Sequence, residues 1–384
     1  MNHPYHLIAS AESWIEGEAL RQLEQTAQLP GMRQAVGLPD LHPGNGYPIG
    51  AAFLSDLIYP ALVGNDIGCG MTLWQTDLLV RKFKPERAAE RLQGLEDPWE
   101  GALADWRADF ALEPTAFDTA LGTIGGGNHF AEMQCIESVL DPPALLTLGI
   151  DPDQALLLVH SGSRGLGEAI LHALIAAKGH AGLDPETPES LDYLRQHEQA
   201  LRWAEANRAL IARRILDALN ADGARRLDVW HNLVQPMDWQ GERLWLHRKG
   251  AAPSDRGALV IPGSRGTLSY LVKPCVDCKQ SLYSLAHGAG RKWKRGEARG
   301  RLSGRQRPED LIKTALGGRV ICEDKELLYD EAPENYKGIE RVVGDLVAAG
   351  LCTIIAALRP LLTYKVRRPA HRQPGMRKQE HRRS

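Results

Sequence analysis

ALLLVHSGSRGLGEAILHALIAAKGHA, residues 155–181, reads as a strand, a loop and a helix in succession. Ala155–Val159 is a continuous apolar run of strand length, the pattern of a strand buried on both faces. His160 ends it, small residues make the turn, and a helical segment follows. A strand that feeds a helix through glycines is how a βαβ unit begins. HSGSRGLGEAI, however, carries neither the dinucleotide fingerprint nor the P-loop spacing. The fold class therefore depends on whether the unit recurs. It does not: helices and strands are mixed without a strand–helix rhythm, and the chain reads as α+β rather than doubly wound.

Outward from this stretch, the first thirty residues read as a helix, with Ser10 or Ser13 as N-cap before WIEGEALRQLEQTAQL. GLPDLHPGNGYPIGAAF (37–53) and LIYPALVGNDIGCGMTLWQTDLLV (57–80) read as short strands joined by polar turns. Residues 81–120 return to helical character. LGTIGGGNHFAEMQCIESVL (121–140) is a glycine loop leading into a strand, and Leu191–Leu219 is a long helix. The last third alternates short strands with glycine turns, then closes in a helix around 340–358 and a strand LLTYK (361–365). One large domain is expected over residues 1–365, followed by a basic, flexible tail over 366–384.

Composition sets the class. A hydrophobic share of 43% with 24% charged residues fits a globular protein with a real core. No apolar run reaches membrane-spanning length, the N-terminus lacks a secretion pattern, and six cysteines are too few for a disulfide scaffold. A cytoplasmic protein with reduced thiols is expected. The net charge of −2 hides an asymmetry: the tail from Val366 holds seven Lys or Arg against one Glu, leaving −8 on the rest. A second basic run, RKWKRGEARGRLSGRQR (291–307), sets eight Lys or Arg against Glu297, with Trp293 interleaved. Such runs neutralise nucleic-acid phosphates, or simply form a solvated loop.

Several loops share one design, in which an apolar strand delivers a polar residue into a turn of small residues. VGNDIGCGM offers Asp66 and Cys69, GGGNHF offers Asn128 and His129, LLLVHSGSRG offers His160, and DVWHNL offers His231 and Asn232. Three imidazoles, a carboxylate and a thiolate suit Mn, Zn or Co better than Mg or Ca, and a cysteine can bridge two ions. Each motif alone has an ordinary structural explanation. CVDC (Cys275, Cys278) has no second half-site and reads as structural. YSLAHGAGRKW places His287 against Gly288, Ala289, Gly290 and Arg291, an imidazole beside exposed amides and a guanidinium, which are parts for handling a phosphate.

Taken in order, PDLHPGNGYPIG, VGNDIGCGM, GGGNHF, HSGSRGLG, WAEANR, HN at 231, HRKGAAP, IPGSRGTLSY, AHGAGR, EAPENYKGIE and a final YK resemble the RtcB family of RNA ligases from about Gly37 to Lys365. The resemblance implies mixed sheets around a central cleft with a dinuclear metal site. Asp66, Cys69 and His129 would hold one Mn²⁺, and Cys69, His160 and His231 the second. His287 would take GMP from GTP. Asn128, His129, Phe130, Ala131, Glu132, His231, Asn232, Pro262, Gly263, Ser264, Arg265, Ser269, Gly288, Ala289, Gly290 and Lys365 match positions that contact the guanylate. Asp40 would sit near the metals and assist the 5′-hydroxyl. The substrates would be RNA 3′-phosphate or 2′,3′-cyclic phosphate ends and 5′-hydroxyl ends.

Two departures stand out. Arg265 replaces the family's usual methionine, and Lys365 is followed by the basic tail in a chain shorter than most members. Those features are similar to the bacterial subgroup found with peptide-chain release factor H, which implies damaged RNA as substrate. A metal-dependent phosphoesterase without ligation and an RNA-binding module with an idle site are the competing functions. Deleting residues 366–384 is expected to flatten the log–log salt dependence of RNA binding by about 0.7 to 0.9 for each phosphate that the tail neutralises. An unchanged slope in a filter-binding titration would refute a role for the tail.

Overall fold

In the computed structural model, which describes residues 5–293, 297–304 and 306–367, the opening stretch forms the strand Gln154–Ser161 and the helix Gly165–Lys178. That strand is interior to an eight-stranded sheet. The order is Leu259–Ile261, Ser269–Pro274, Cys352–Val366, Phe130–Val139, Gln154–Ser161, Gly70–Leu79 and Gly223–Trp230, with Arg319–Cys322 alongside Cys352–Val366. Apart from that last parallel pair, neighbours run antiparallel. The expected α+β class is what the chain adopts.

A five-stranded sheet orders Tyr5–Leu7, Met32–His42, Ile49–Ser55, Glu242–Lys249 and Asn232–Trp239. The chain passes between the sheets at His231, the single residue separating the strand ending at Trp230 from the one starting at Asn232. One hydrophobic cluster joins the two sheets, with Val36, Leu38, Leu54 and Leu246 meeting Val229, Ile261 and Val272. A second packs Ile211, Ile215 and Leu219 of the long helix on Met133, Leu157 and Val159 of the larger sheet.

The long helix, Pro188–Leu219, is legible in the sequence; the ends of the chain are less so. The N-terminal helix is only Gly17–Thr26. Ser10 and Ser13 do not cap it, because the Ser10 N–H and the Ser13 hydroxyl both bind the Asp345 carboxylate. Residues 81–120 hold two short helices, Pro85–Arg91 and Leu103–Asp109, joined by irregular chain, with short 3₁₀ turns at Val80–Lys82 and Asp118–Ala120. The expected helix over 340–358 stops at Ala348, Gly350 turns the chain with φ +71°, and Cys352–Val366 is a strand. A run buried on both faces loses the alternation that marks a strand, so periodicity alone confuses it with a buried helix. Residues 368–384 of the tail, and Lys294, Arg295 and Arg305 of the basic run, lie outside the described residues. Among the described residues, no helix is long and apolar enough to cross a membrane.

The long helix clamps the edge of the sheet that carries the polar loops. Arg208 is fully buried, donates Nη1 to the carbonyls of Gly68 (2.7 Å) and Ser161 (2.9 Å), and pairs Nε with Asp228 at 2.9 Å. Neighbouring Asn207 donates to Ser161 Oγ and accepts from Gly122 N–H. Arg208→Met is expected to cost about 3–5 kcal/mol, because Asp228 and two carbonyls are left buried without their donor. Urea denaturation measures this, and a loss under about 1 kcal/mol would contradict it.

Candidate active site

Strand register assembles the polar residues. Gly70 is paired on one side with Ser161 and on the other with Trp230, while Phe130 is paired with His160. Cys69, His129, His160 and His231 therefore emerge together at one edge of four adjacent strands. The His231 N–H donates to the Cys69 carbonyl at 2.8 Å, which locks the crossing between sheets onto the Asp66–Cys69 turn. Gly70 is a steric necessity, since a Cβ there would lie 2.3 Å from the Val229 carbonyl oxygen.

The side chains converge as their residue types imply. Cys69 Sγ lies 3.1 Å from His160 Nε2 and 3.4 Å from His129 Nε2, and His129 Nε2 lies 2.8 Å from Asp66 Oδ2. Two donor groups result, Asp66–Cys69–His129 and Cys69–His160–His231, each with its ligand atoms within 4.8 Å of one another. Cys69 belongs to both. Burial, reinforced by the neighbouring imidazoles, pushes the His160 and His231 pKa values well down, so both rings are neutral and offer lone pairs. His160 Nδ1 bonds the Asn128 carbonyl at 3.2 Å, which leaves its Nε2 as the lone pair facing Cys69. Burial, then Asp66, pushes the Cys69 thiol well up, so a thiolate here requires a cation. The donor types, imidazole, thiolate and carboxylate, fit a divalent transition metal.

His287 ends the short strand Ser284–Ala286, its ring centroid 4.8 Å from that of His231. Asp40, fully buried, accepts from both the His287 N–H (3.1 Å) and Nδ1 (2.6 Å) through Oδ2. A carboxylate at Nδ1 keeps the proton there and leaves Nε2 as the free nucleophilic nitrogen. Asp40 stands on an irregular stretch of its strand, where pairing jumps from Gly37 to His42. Lys337, which lies within EAPENYKGIE but takes no role from that motif, holds that stretch by donating Nζ to the carbonyls of Pro39 (3.1 Å) and Leu41 (2.6 Å). Its backbone N–H donates to the Gly290 carbonyl at 3.0 Å. Gly290 must lack a side chain, because a Cβ would lie 2.3 Å from the Asp40 carbonyl oxygen. Burial lowers Lys337 to about 8, and it lowers His42, which stacks over His287 at 6.3 Å, to about 3.

A cleft of about 680 Å³ opens beside these residues. Its walls include Asp66, Cys69, His160, His231 and His287, and also Asn128, Phe130, Glu132, Asn232, Pro262, Gly263, Ser264, Arg265, Gly288, Ala289, Gly290 and Lys365. His129, Ala131, Ser269 and Asp40 stand behind that surface. Ser269 Oγ accepts from the Gly263 N–H at 3.3 Å and so shapes the wall indirectly. Lys365 Nζ donates to the Gly127 carbonyl at 2.9 Å and lies 3.5 Å from Glu331. Arg265 donates Nη2 to the Leu328 carbonyl, and its buried Nη1 has no hydrogen-bond partner among the described residues. Arg291 is engaged by protein: it reaches Glu331 and the Tyr336 hydroxyl, both at 3.2 Å, and the carbonyls of Asp330 and Trp293. Arg164, which lies within HSGSRGLG but takes no role from that motif, brings Nη1 to 3.1 Å from His129 Nδ1. In CVDC the Cys278 thiol donates to the Cys275 carbonyl at 3.1 Å, and all six cysteines are free.

A two-part donor set thus stands beside a histidine bonded to a carboxylate at the wall of a cleft. The model of the family described as tRNA-splicing ligase RtcB matches residues 22–97 and 100–366. The chain is 50% identical over 359 residues to the RNA-splicing ligase RtcB2 of an Escherichia coli strain, covering 93% of this chain and 94% of the relative. It is 29% identical to the RNA-splicing ligase RtcB of Escherichia coli K12 over 91% of this chain and 95% of the relative. With the tRNA-splicing ligase RtcB of Methanococcus maripaludis it shares 28% identity over 90% and 91% of the two chains. The chain belongs to the RtcB family.

Glu132 supplies a measurable handle on the cleft. Burial raises its carboxyl to about 7, against hydrogen bonds from Thr363 and Gln134 that favour the charged form. The folded state thus binds its proton more tightly than the unfolded chain, so this stability is present below pH 4.5 and lost as pH rises to about 7. Relative to Glu132→Gln, the wild type is expected to lose about 3 kcal/mol across that window. Urea denaturation at several pH values tests this, and a difference that stays flat with pH contradicts it.

Proposed function

We propose that this protein is a GTP- and Mn²⁺-dependent RNA ligase that joins 3′-phosphate or 2′,3′-cyclic phosphate ends to 5′-hydroxyl ends. The observation that carries the proposal is the Asp40–His287 pair, which frees one imidazole nitrogen at the cleft beside the two donor groups. The family supports RNA ligation as the class of reaction.

Asp66, Cys69 and His129 would hold one Mn²⁺, and Cys69, His160 and His231 the other. Ions bound there would offset negative charge on phosphate oxygens. His287 Nε2 attacks the α-phosphorus of GTP; an N–P bond forms and pyrophosphate leaves. Asp40 holds the Nδ1 proton and stabilises the charge that develops on the ring. A 3′-phosphate oxygen of RNA then attacks the same phosphorus, giving RNA(3′)pp(5′)G and returning a free His287. Finally the 5′-hydroxyl attacks the RNA phosphorus and GMP leaves. The detour replaces a poor leaving group with a good one. A cyclic end is opened to the 3′-phosphate first.

In this reading Glu132, Ser269 through Gly263, and Lys365 shape the guanylate site, and broken RNA in the cytoplasm is the substrate. Peptide-chain release factor H is the functional companion that the subgroup resemblance implies. Arg265 is the one sequence feature favouring a phosphoesterase, and its bond to the Leu328 carbonyl lessens that case.

Incubation with GTP labelled at the α-phosphate, with Mn²⁺, tests the first step. Label is expected to stay on the wild type through denaturation, to be released by acid, and to be absent from His287→Ala. An unlabelled wild type with metal bound would overturn the proposal and leave phosphoesterase activity as the next assay.

A further inference from the structure

The basic run 291–307 carries a tryptophan that takes no part in the chemistry above. The chain has nine tryptophans, of which seven lie in or against a hydrophobic cluster. Among the described residues, Trp14 and Trp293 belong to none. Trp14 is 55% exposed, as a surface residue is. Trp293 instead lines the same cleft as His287 and is partly buried there. A large apolar ring held at a cleft wall outside any core has a contact surface to offer.

Its surroundings are those of a built platform. The Trp293 carbonyl accepts from Arg291 Nε at 3.1 Å, and Arg291 is anchored to Glu331, so the backbone under the indole is fixed. The Arg301 guanidinium lies over the ring, 4.8 Å from its centroid, and is itself paired with Glu297 at 3.1 Å. Every nucleobase has a π-face, so such a ring binds bases without choosing among them. A cation–π partner braces the ring, and the same cation draws phosphates toward it. Eight Lys or Arg in seventeen residues suit a polyanion rather than one mononucleotide.

We propose that Trp293, backed by Arg301, is a stacking platform for an unpaired nucleobase of the RNA strand whose 3′ end reaches His287. This deepens the ligase reading and rests on RNA ends entering the cleft. The ligand class is single-stranded RNA, bound by stacking and charge without regard to base identity.

The test is fluorescence anisotropy with a labelled short single-stranded RNA bearing a 3′-phosphate, using the full-length protein. Trp293→Ala is expected to weaken binding about tenfold, and Trp293→Phe about threefold or less, since a smaller ring still stacks. A set of probes, each lacking one base near the 3′ end, should contain one that weakens wild-type binding to a similar degree. With that probe, wild type and Trp293→Ala should bind alike to within about twofold. Equal affinity of wild type and Trp293→Ala for the intact probe overturns the platform, as does a loss that persists with every base-deleted probe. Guanylylation by GTP, which involves no RNA, is followed in parallel as the control. If it falls in step with RNA binding in Trp293→Ala, the ring serves the nucleotide or the fold, and the proposal is wrong. If wild type takes no guanylate yet discriminates the base-deleted probe, the ligase reading fails and the platform stands. Should Trp293→Ala not fold, Trp293→Phe and the base-deleted probes on wild type decide the question.

Discussion

The pairing of Gly70 with Ser161 on one side and Trp230 on the other is the constraint on which the site depends. A strand has a side-chain period of two, so a slip of one residue in either ladder would turn a ligand to the opposite face. The register is secured from three directions. Gly70 permits an approach to Val229 that no other residue allows. The His231 N–H bonds the Cys69 carbonyl, and Arg208 ties the Gly68 and Ser161 carbonyls to the long helix. The chemistry-bearing loops are thus held by backbone hydrogen bonds, while their side chains remain available for ligands.

Burial gives those side chains their chemical character. The His160 and His231 imidazoles are held neutral, and the Cys69 thiol beside them is reluctant to ionise. Burial alone would raise Asp66, but His129 and the Arg164 N–H outweigh it and hold the carboxyl low. A cluster of this kind welcomes cations, because a cation favours the thiolate that burial and Asp66 disfavour. Asp40 works by a different route, behind His287. It bonds His287 twice, is itself embedded, and is held in position by the contacts Lys337 makes with the carbonyls on either side of it.

Much of the site is readable in the sequence, for a physical reason. A ligand at the end of an apolar strand, or in a turn of glycines beside one, leaves a local signature, and His160, Cys69, His129 and His231 all carry it. Lys337, Arg164 and Arg208 stand inside EAPENYKGIE, HSGSRGLG and WAEANR, but nothing local in those stretches gives them a role. Each acts through carbonyls or side chains far away in the chain, and a lone cation in a helix or loop looks like any solvated residue. Arg265 shows the converse. Its identity is plain in the sequence, but its direction, toward Leu328, is set by packing that no local pattern encodes.

Elements follow the same division. The long helix Pro188–Leu219 is evident from its length and composition, and the α+β class from the absence of a strand–helix rhythm. The strand Cys352–Val366 reads in part as a helix, since a segment covered on both faces shows no period. By itself the sequence determined which residues could hold ions, because residue type and local small-residue turns are written in short stretches. Only the tertiary structure decided that these residues meet, which nitrogen of His287 is free, and which cations are already engaged. Those are matters of register and of hydrogen bonds between residues far apart in the chain.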